Sequence, residues 1–154
     1  MFLHYIQYSK EELEEVKAIF TAYSDFLGID LRFQHFDTEL ETLHQVYGPP
    51  KGCIILAKTE TQTAACIALK PIGEGICEMK RLFVKPEFRG RKLGKILVEE
   101  LIDFARKAGY HSMKLDTLRS LGEAIKLYRS FGFTETEPYV FNPLEDVLFF
   151  ELKL

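Results

Sequence analysis

Residues 79–109, MKRLFVKPEFRGRKLGKILVEELIDFARKAG, decide the fold. The opening MKRLFVKP has the branched and aromatic composition of a β-strand. From Leu93 onward the pattern becomes helical, with Leu93, Ile96, Leu97, Leu101, Phe104, Ala105 and Ala108 on one stripe and Gly109 in place to stop it. Arg106 and Lys107 fall at the negative end of that helix, where the macrodipole favours cations. Between strand and helix lies RGRKLGK, residues 89–95, with two glycines and four basic residues at the mouth of the helix.

The charge is local. Residues 80–95 carry seven basic side chains (Lys80, Arg81, Lys85, Arg89, Arg91, Lys92, Lys95) against one acid, Glu87. That window is +6 in a chain of net charge −3, which leaves −9 elsewhere. A protein that coats nucleic acid is basic over a broad face, so this distribution points to a compact anion, and no nucleic-acid partner is expected. The first turn of a helix leaves backbone N–H groups unpaired and attracts negative charge, while Gly90 and Gly94 allow a phosphate to approach without a Cβ in the way. Spacing narrows the phosphate. GRKLGKI has one residue too few between its glycines for the nucleoside-triphosphate loop and an isoleucine where the magnesium-binding hydroxyl belongs. GEG at residues 73–75 precedes a strand and opens no helix, so the dinucleotide fingerprint is absent.

Outward from this segment, the 154 residues have the size and composition of one globular domain, 1–154, at 47% hydrophobic and 28% charged. FLHYIQYS reads as a strand and SKEE (Ser9–Glu12) as a capping box opening a helix that ends at Gly28. Asp37 reads as the N-cap of a second helix carrying Leu40, Leu43 and Tyr47. GCIILAKTE and TAACIALKPIG form a hairpin, followed by the strand ICEMKRLFV. HSMKLDTL is a further strand, SLGE (Ser120–Glu123) a second capping box, and FTETEPYVF and DVLFFELKL the final strands. The order βααβββαβαββ implies an α/β sheet with helices on both faces.

No apolar run approaches a membrane span and the N-terminal residues lack the order of a secretory signal, so no membrane partner and a cytoplasmic location are expected. Cys53, Cys66 and Cys77 read as buried free thiols, and His4, His35, His44 and His111 show no ligand spacing, so no metal is expected. The apolar strand DVLFFELKL makes a homodimer reasonable.

The chain resembles the GNAT superfamily of acetyl-coenzyme A-dependent N-acetyltransferases. RGRKLG looks like the signature R/Q-x-x-G-x-G/A, and AIKLYRSFGF, residues 124–133, looks like the second motif A-x-x-L-Y-x-x-x-G-F. It departs at the fourth signature position, where Lys92 stands for the usual glycine, and before the second helix, where Leu121 stands for a frequent asparagine. The resemblance implies a single-domain fold with a mixed, mostly antiparallel twisted sheet of six to seven strands and about four helices. It implies acetyl-coenzyme A as acetyl donor, with the backbone of Leu82, Phe83 and Val84 meeting its pantetheine arm. Arg89, Gly90, Arg91, Lys92, Leu93, Gly94 and Lys95 would hold the pyrophosphate.

By the same resemblance Tyr128 is the general acid for the departing thiolate, since a phenol of reference pKa near ~10 keeps its proton at neutral pH. Its other reading is a core aromatic on the apolar stripe of its helix. Glu78, on the strand near the expected acetyl end, is the candidate base, directly or through water; its other reading is a solvent-facing carboxylate paired with Lys80 or Arg81. A backbone N–H near Phe83 is expected to meet the oxyanion. The expected acceptor is a primary amine, small or amino-acid-like, in preference to a protein N-terminus or lysine. Phe33, Phe36, Tyr139 and Phe141 are candidates for an apolar cleft, and Asp30, Asp37, Glu39 and Asp146 for attracting the amine. A coenzyme A-binding module without turnover, and an unrelated phosphate-binding α/β domain, are the competing readings.

Overall fold

Ser9 opens the first helix. Its hydroxyl accepts from the Glu12 amide at 3.2 Å while a Glu12 carboxylate oxygen accepts from the Ser9 amide at 3.1 Å, so the capping box of SKEE forms. The computed structural model describes residues 1–154, the side chain of Phe33 excepted. Helix α1 (Lys10–Leu27) buries Val16, Ile19 and Phe20 and ends at Gly28 with φ 65°. It follows β1 (Phe2–Tyr5) and precedes two short helices, α2 (Phe36–Glu41) and α3 (Leu43–Tyr47). Then come β2 (Cys53–Lys58), β3 (Thr63–Gly73), β4 (Ile76–Val84), α4 (Leu93–Lys107), β5 (Ser112–Leu118), α5 (Gly122–Ser130), β6 (Thr134–Glu135) and β7 (Val147–Lys153).

The strands form one seven-stranded sheet in the order β1-β2-β3-β4-β5-β7-β6, antiparallel throughout except for β4 beside β5. Strand alternation divides the apolar residues between two cores. Ile55, Ile67, Met79, Leu115 and Phe150 face α4 and α5, whereas Ile54, Leu56, Cys66, Ala68 and Phe83 face α1, α2 and α3. The α/β sheet with helices on both faces is therefore as the sequence implied. All three cysteines are buried free thiols.

Five expectations need correction. Asp37 does not cap α2: His35, in the left-handed region at φ 57°, takes that position, and Asp30 instead caps a 3-10 turn over Leu31–Gln34 by accepting from the Arg32 amide at 2.9 Å. The expected second helix breaks at Thr42, whose hydroxyl donates back to the Thr38 carbonyl at 2.6 Å. SLGE makes no capping box, because a turn from the Leu121 amide to the Leu118 carbonyl at 2.9 Å makes Leu121 the N-cap. FTETEPYVF is a strand only over Thr134–Glu135; beyond it Pro138 offers no N–H for pairing and Tyr139 reaches back to β4. On α4 the stripe is rotated slightly, so Ile96 is exposed while Val98 and Ile102 are buried.

Two irregularities in β4 shape the molecule. The strand pairs with β5 only at Ile76↔Ser112, Cys77↔Met113 and Glu78↔Lys114. Past Glu78 its outer edge is unpaired. On its other edge, Cys66 faces Phe83 and Ala68 faces Lys80, so two residues of β4 stand against one of β3. This bulge holds Arg81 at φ 61° and turns Phe83 into the α1 side of the core.

Candidate active site

Where β4 and β5 part, a cleft opens between them. Its walls are Met79 to Leu82 of β4 and Leu115 to Leu118 of β5, with Tyr23 and Leu27 of α1 on one side and Ala124 and Tyr128 of α5 on the other. Gln34, Asn142 and Leu144 close its end. The unpaired edge of β4 runs along this cleft toward the mouth of α4.

At that mouth the backbone leaves a row of unpaired amides. Among the described residues, none of the six amides of residues 90–95 donates a hydrogen bond; the first in-helix donor is Ile96, to the Lys92 carbonyl at 3.1 Å. Gly90 at φ 83° and Lys92 at φ 60° both lie in the left-handed region and turn these amides in succession. A Cβ on Gly90 would meet nothing within 4 Å, so glycine is required there by conformation and not by space. Lys92 holds the same region at a cost of about 1–2 kcal/mol for an L-residue. Arg89 lies over the Phe26 ring at 4.6 Å and its Nε donates to the Val84 carbonyl at 3.4 Å; Arg91 lies over Phe88 at 5.2 Å. These residues suit a pyrophosphate: consecutive free amides, a helix N-terminus and basic side chains on its rim.

Tyr128 is buried, with its ring against Phe133 at 5.8 Å and Phe150 at 6.5 Å, and it lines the cleft. Its hydroxyl has no hydrogen-bond partner among the described residues. Burial, reinforced by the nearby Tyr23 and Asp116, pushes its pKa well above the ordinary value. A core aromatic and a proton-bearing cleft residue are thus the same side chain.

Glu78 is neither solvent-facing nor paired with Lys80 or Arg81. It is 2% exposed, accepts a 2.6 Å bond from the Tyr139 hydroxyl and has Lys70 Nζ at 3.8 Å. Burial and the Glu78 charge push the Tyr139 phenol far above its usual range, so it stays a donor. Glu78 is not on the cleft wall; Tyr139 stands over it.

Of the acids expected to attract an amine, none lines the cleft. Glu39 is locked in a buried pair with Arg81, Asp30 bonds Arg32 at the surface, and Asp37 and Asp146 are exposed. Phe36 lies under the Arg81 guanidinium at 5.2 Å, Phe141 is 75% exposed, and the side chain of Phe33 is outside those described. The charged groups that do line the cleft are Lys80, Arg81 and Asp116. Asp116 lies in HSMKLDTL, where a single acid in an apolar strand was the only signal; its partner Asn142, 3.1 Å away, comes from a loop that sequence periodicity does not place. No group of three or more metal-ligating side chains occurs among the described residues, and no helix there is long and apolar enough to cross a membrane.

Comparison with known proteins agrees with this architecture. Residues 14–133 match the model of the acetyltransferase (GNAT) family. An uncharacterised N-acetyltransferase of Schizosaccharomyces pombe is 47% identical over 146 residues, covering 94% of this chain and 90% of its own. Among solved structures, an acetyltransferase from Streptococcus agalactiae superposes with a TM-score of 0.82 at 20% identity, over 99% of this chain and 98% of its own. The PaiA N-acetyltransferase from Thermoplasma acidophilum, solved in complex with coenzyme A, gives 0.73 at 21% identity over all of both chains. With a splayed β4–β5 pair, the amide cradle at α4 and these matches, the chain belongs to the GNAT family of acetyltransferases.

Proposed function

We propose that this protein transfers the acetyl group of acetyl-coenzyme A to the primary amine of a small, amino-acid-like molecule. The observation that carries the reading is continuity: an unpaired strand edge over residues 79–84 leads from the Tyr128 hydroxyl to the six free amides of residues 90–95. Leu82, Phe83 and Val84 would meet the pantetheine arm through their backbone, as a neighbouring strand would. The amides of residues 90–95, with Arg89, Arg91, Lys92 and Lys95 around them, would hold the pyrophosphate.

When bound, the coenzyme supplies an acetyl thioester: the amine nitrogen bonds the acetyl carbon, the carbon–sulfur bond breaks, and one proton leaves nitrogen as another reaches sulfur. The β4 backbone beside the bulge offers N–H groups toward the acetyl oxygen. Tyr128, held protonated by burial, donates to the thiolate. Glu78 accepts the amine proton through Tyr139, whose hydroxyl already donates to it and can take a hydrogen bond from water or amine on its other side.

Burial of Glu78 behind Tyr139 also favours a second reading, a coenzyme A-binding module that turns nothing over. Release of free thiol from acetyl-coenzyme A, followed against a panel of amines in the wild type, Tyr128→Phe and Glu78→Gln, separates the two. Amine-dependent thiol release that falls in both variants supports the transferase. Coenzyme binding without transfer to any amine leaves the module.

A further inference from the structure

The cleft holds two ionisable side chains whose charges no neighbour matches. Lys80 lines it from β4, and its Nζ reaches only the neutral Gln34 Oε1, at 3.5 Å. No carboxylate among the described residues lies within 4.0 Å of it. The acids nearby are engaged: Glu39 by two nitrogens of Arg81, Glu78 by Tyr139 and Lys70. Gln34 Oε1 also accepts from Arg81 Nη1 at 2.9 Å, which fixes the amide beside Lys80. Burial, then the Arg81 charge, draw the Lys80 ammonium below the usual lysine range. Lys80 is half-buried, so part of its hydration is already lost and an anion that joins it there is held more strongly than in open water.

Asp116 stands opposite. Glu78↔Lys114 is the last β4–β5 pair, so Lys80 and Asp116, each two residues further, would face each other had pairing continued. The strands have parted, and the two side chains are not within 4.0 Å. Asp116 accepts from Asn142 Nδ2 at 3.1 Å and has no Lys or Arg within 4.0 Å among the described residues. A lone cation and a lone anion therefore face one another across the cleft that Tyr128 also lines.

We propose that the acceptor is a zwitterion, an amine that carries a carboxylate close by, as a free amino acid does, with Lys80 and Gln34 holding the carboxylate and Asp116 the amino group. The proposal rests on the acetyl-transfer reading given above. It sets this site against a polyamine, which has no carboxylate for Lys80. It also sets it against a protein N-terminus, whose neighbouring carbonyl is an amide, and a protein lysine, whose ε-amine has no carboxylate near it. Lys80 is then the residue that determines acceptor class. Asp116 steadies the ammonium until its proton is lost, and the apolar Leu31 and Leu144 bound the remaining space.

The test compares free amino acids with their carboxamides, in the full chain and in Lys80→Met. Two readouts are used: thiol release from acetyl-coenzyme A, and calorimetric binding in the presence of coenzyme A. The expected result is a kcat/KM about 10- to 100-fold higher for the carboxylate member of each pair, the size of a lost charge partner at a half-buried site. Lys80→Met brings that ratio close to one, chiefly through KM. Lys80→Gln serves if Lys80→Met does not fold. Equal efficiency for acids and carboxamides, or an unchanged ratio in the variant, overturns the proposal. Should no amine be acetylated, the transferase reading fails by itself and calorimetry still decides the subsite. Binding of amino acids over carboxamides that is lost in Lys80→Met upholds it, and absence of that preference overturns it.

Discussion

The Arg81 guanidinium and the Glu39 carboxylate meet side-on beneath the β4 bulge, Nε to Oε2 and Nη2 to Oε1, both at 2.9 Å and both almost sealed from solvent. The pair ties α2 to the strand at the point where β4 changes register. Each charge is matched by the other, with the neutral Gln34 amide and the Phe36 ring as further contacts of the guanidinium, so removal of one partner leaves the other buried without a counter-charge.

Glu39→Gln should therefore destabilise the fold by about 3–5 kcal/mol. The double variant Glu39→Leu/Arg81→Met should recover much of the loss, since a buried ion pair and an apolar pair of similar volume are often equivalent. Urea unfolding of the wild type, the single and the double variant measures both effects. A single variant as stable as the wild type would remove the pair from its structural role.

If Tyr128 is the acid for the thiolate as proposed, Tyr128→Phe should lower kcat by about 100-fold or more and leave coenzyme affinity unchanged, because the ring contacts with Phe133 and Phe150 persist while the hydroxyl is lost. Burial raises the phenol's pKa, and an acid works on the low side of its pKa. The wild-type rate should accordingly show no alkaline decline near pH 10 from this group. A pH–rate profile of both proteins is the measurement.

At the cradle, a Cβ on Gly94 would lie 3.4 Å from Leu127 Cδ2, an ordinary contact. Gly94→Ala should keep coenzyme binding, whereas Gly94→Glu should abolish it through bulk and like charge at the pyrophosphate. Lys92→Gly relieves a left-handed lysine but gives the unfolded chain more freedom, so stability should change by less than about 1 kcal/mol. Its coenzyme affinity should become less salt-dependent. Calorimetry at two ionic strengths tests all three variants.

The α1 capping box should make stability fall in acid. Burial would raise the Glu12 pKa, but bonds from His4 and from the Gln7 and Ser9 amides outweigh it and hold the carboxyl at about 2, below its usual 4.5. A folded-state pKa below the unfolded one contributes stability that is full above pH 4.5 and lost as pH falls toward 2. Glu12→Gln should flatten that part of the stability curve and cost about 1 kcal/mol at neutral pH. Thermal unfolding across the acid range provides the comparison.

Much of this was legible along the chain. Residues 79–109 encode a strand, a glycine turn and a helix by local propensity, and the amides that form the cradle are consecutive, so a linear motif suffices to find them. SKEE and Gly28 mark both ends of α1 for the same reason. Where a tertiary contact competes with a local signal, the local reading gave way. The segment after Glu135 left the sheet as Tyr139 bonded Glu78, whereas Ser120 lost its cap to a competing local turn between Leu121 and Leu118.

The sequence by itself determined the strand-turn-helix unit, the localised positive charge and the place of Tyr128 on an apolar helix face, all of which depend on neighbours within a few residues. Only the tertiary structure decided the charge state of the cleft. Glu39 and Arg81 are 42 positions apart, Asn142 and Asp116 are 26, and Tyr139 and Glu78 are 61. Which acid neutralises which base is set by through-space pairing in a low-dielectric interior, and chain spacing carries no record of it. Lys80 is one basic residue among seven in its window; the parting of β4 from β5 leaves it without a carboxylate and facing Asp116.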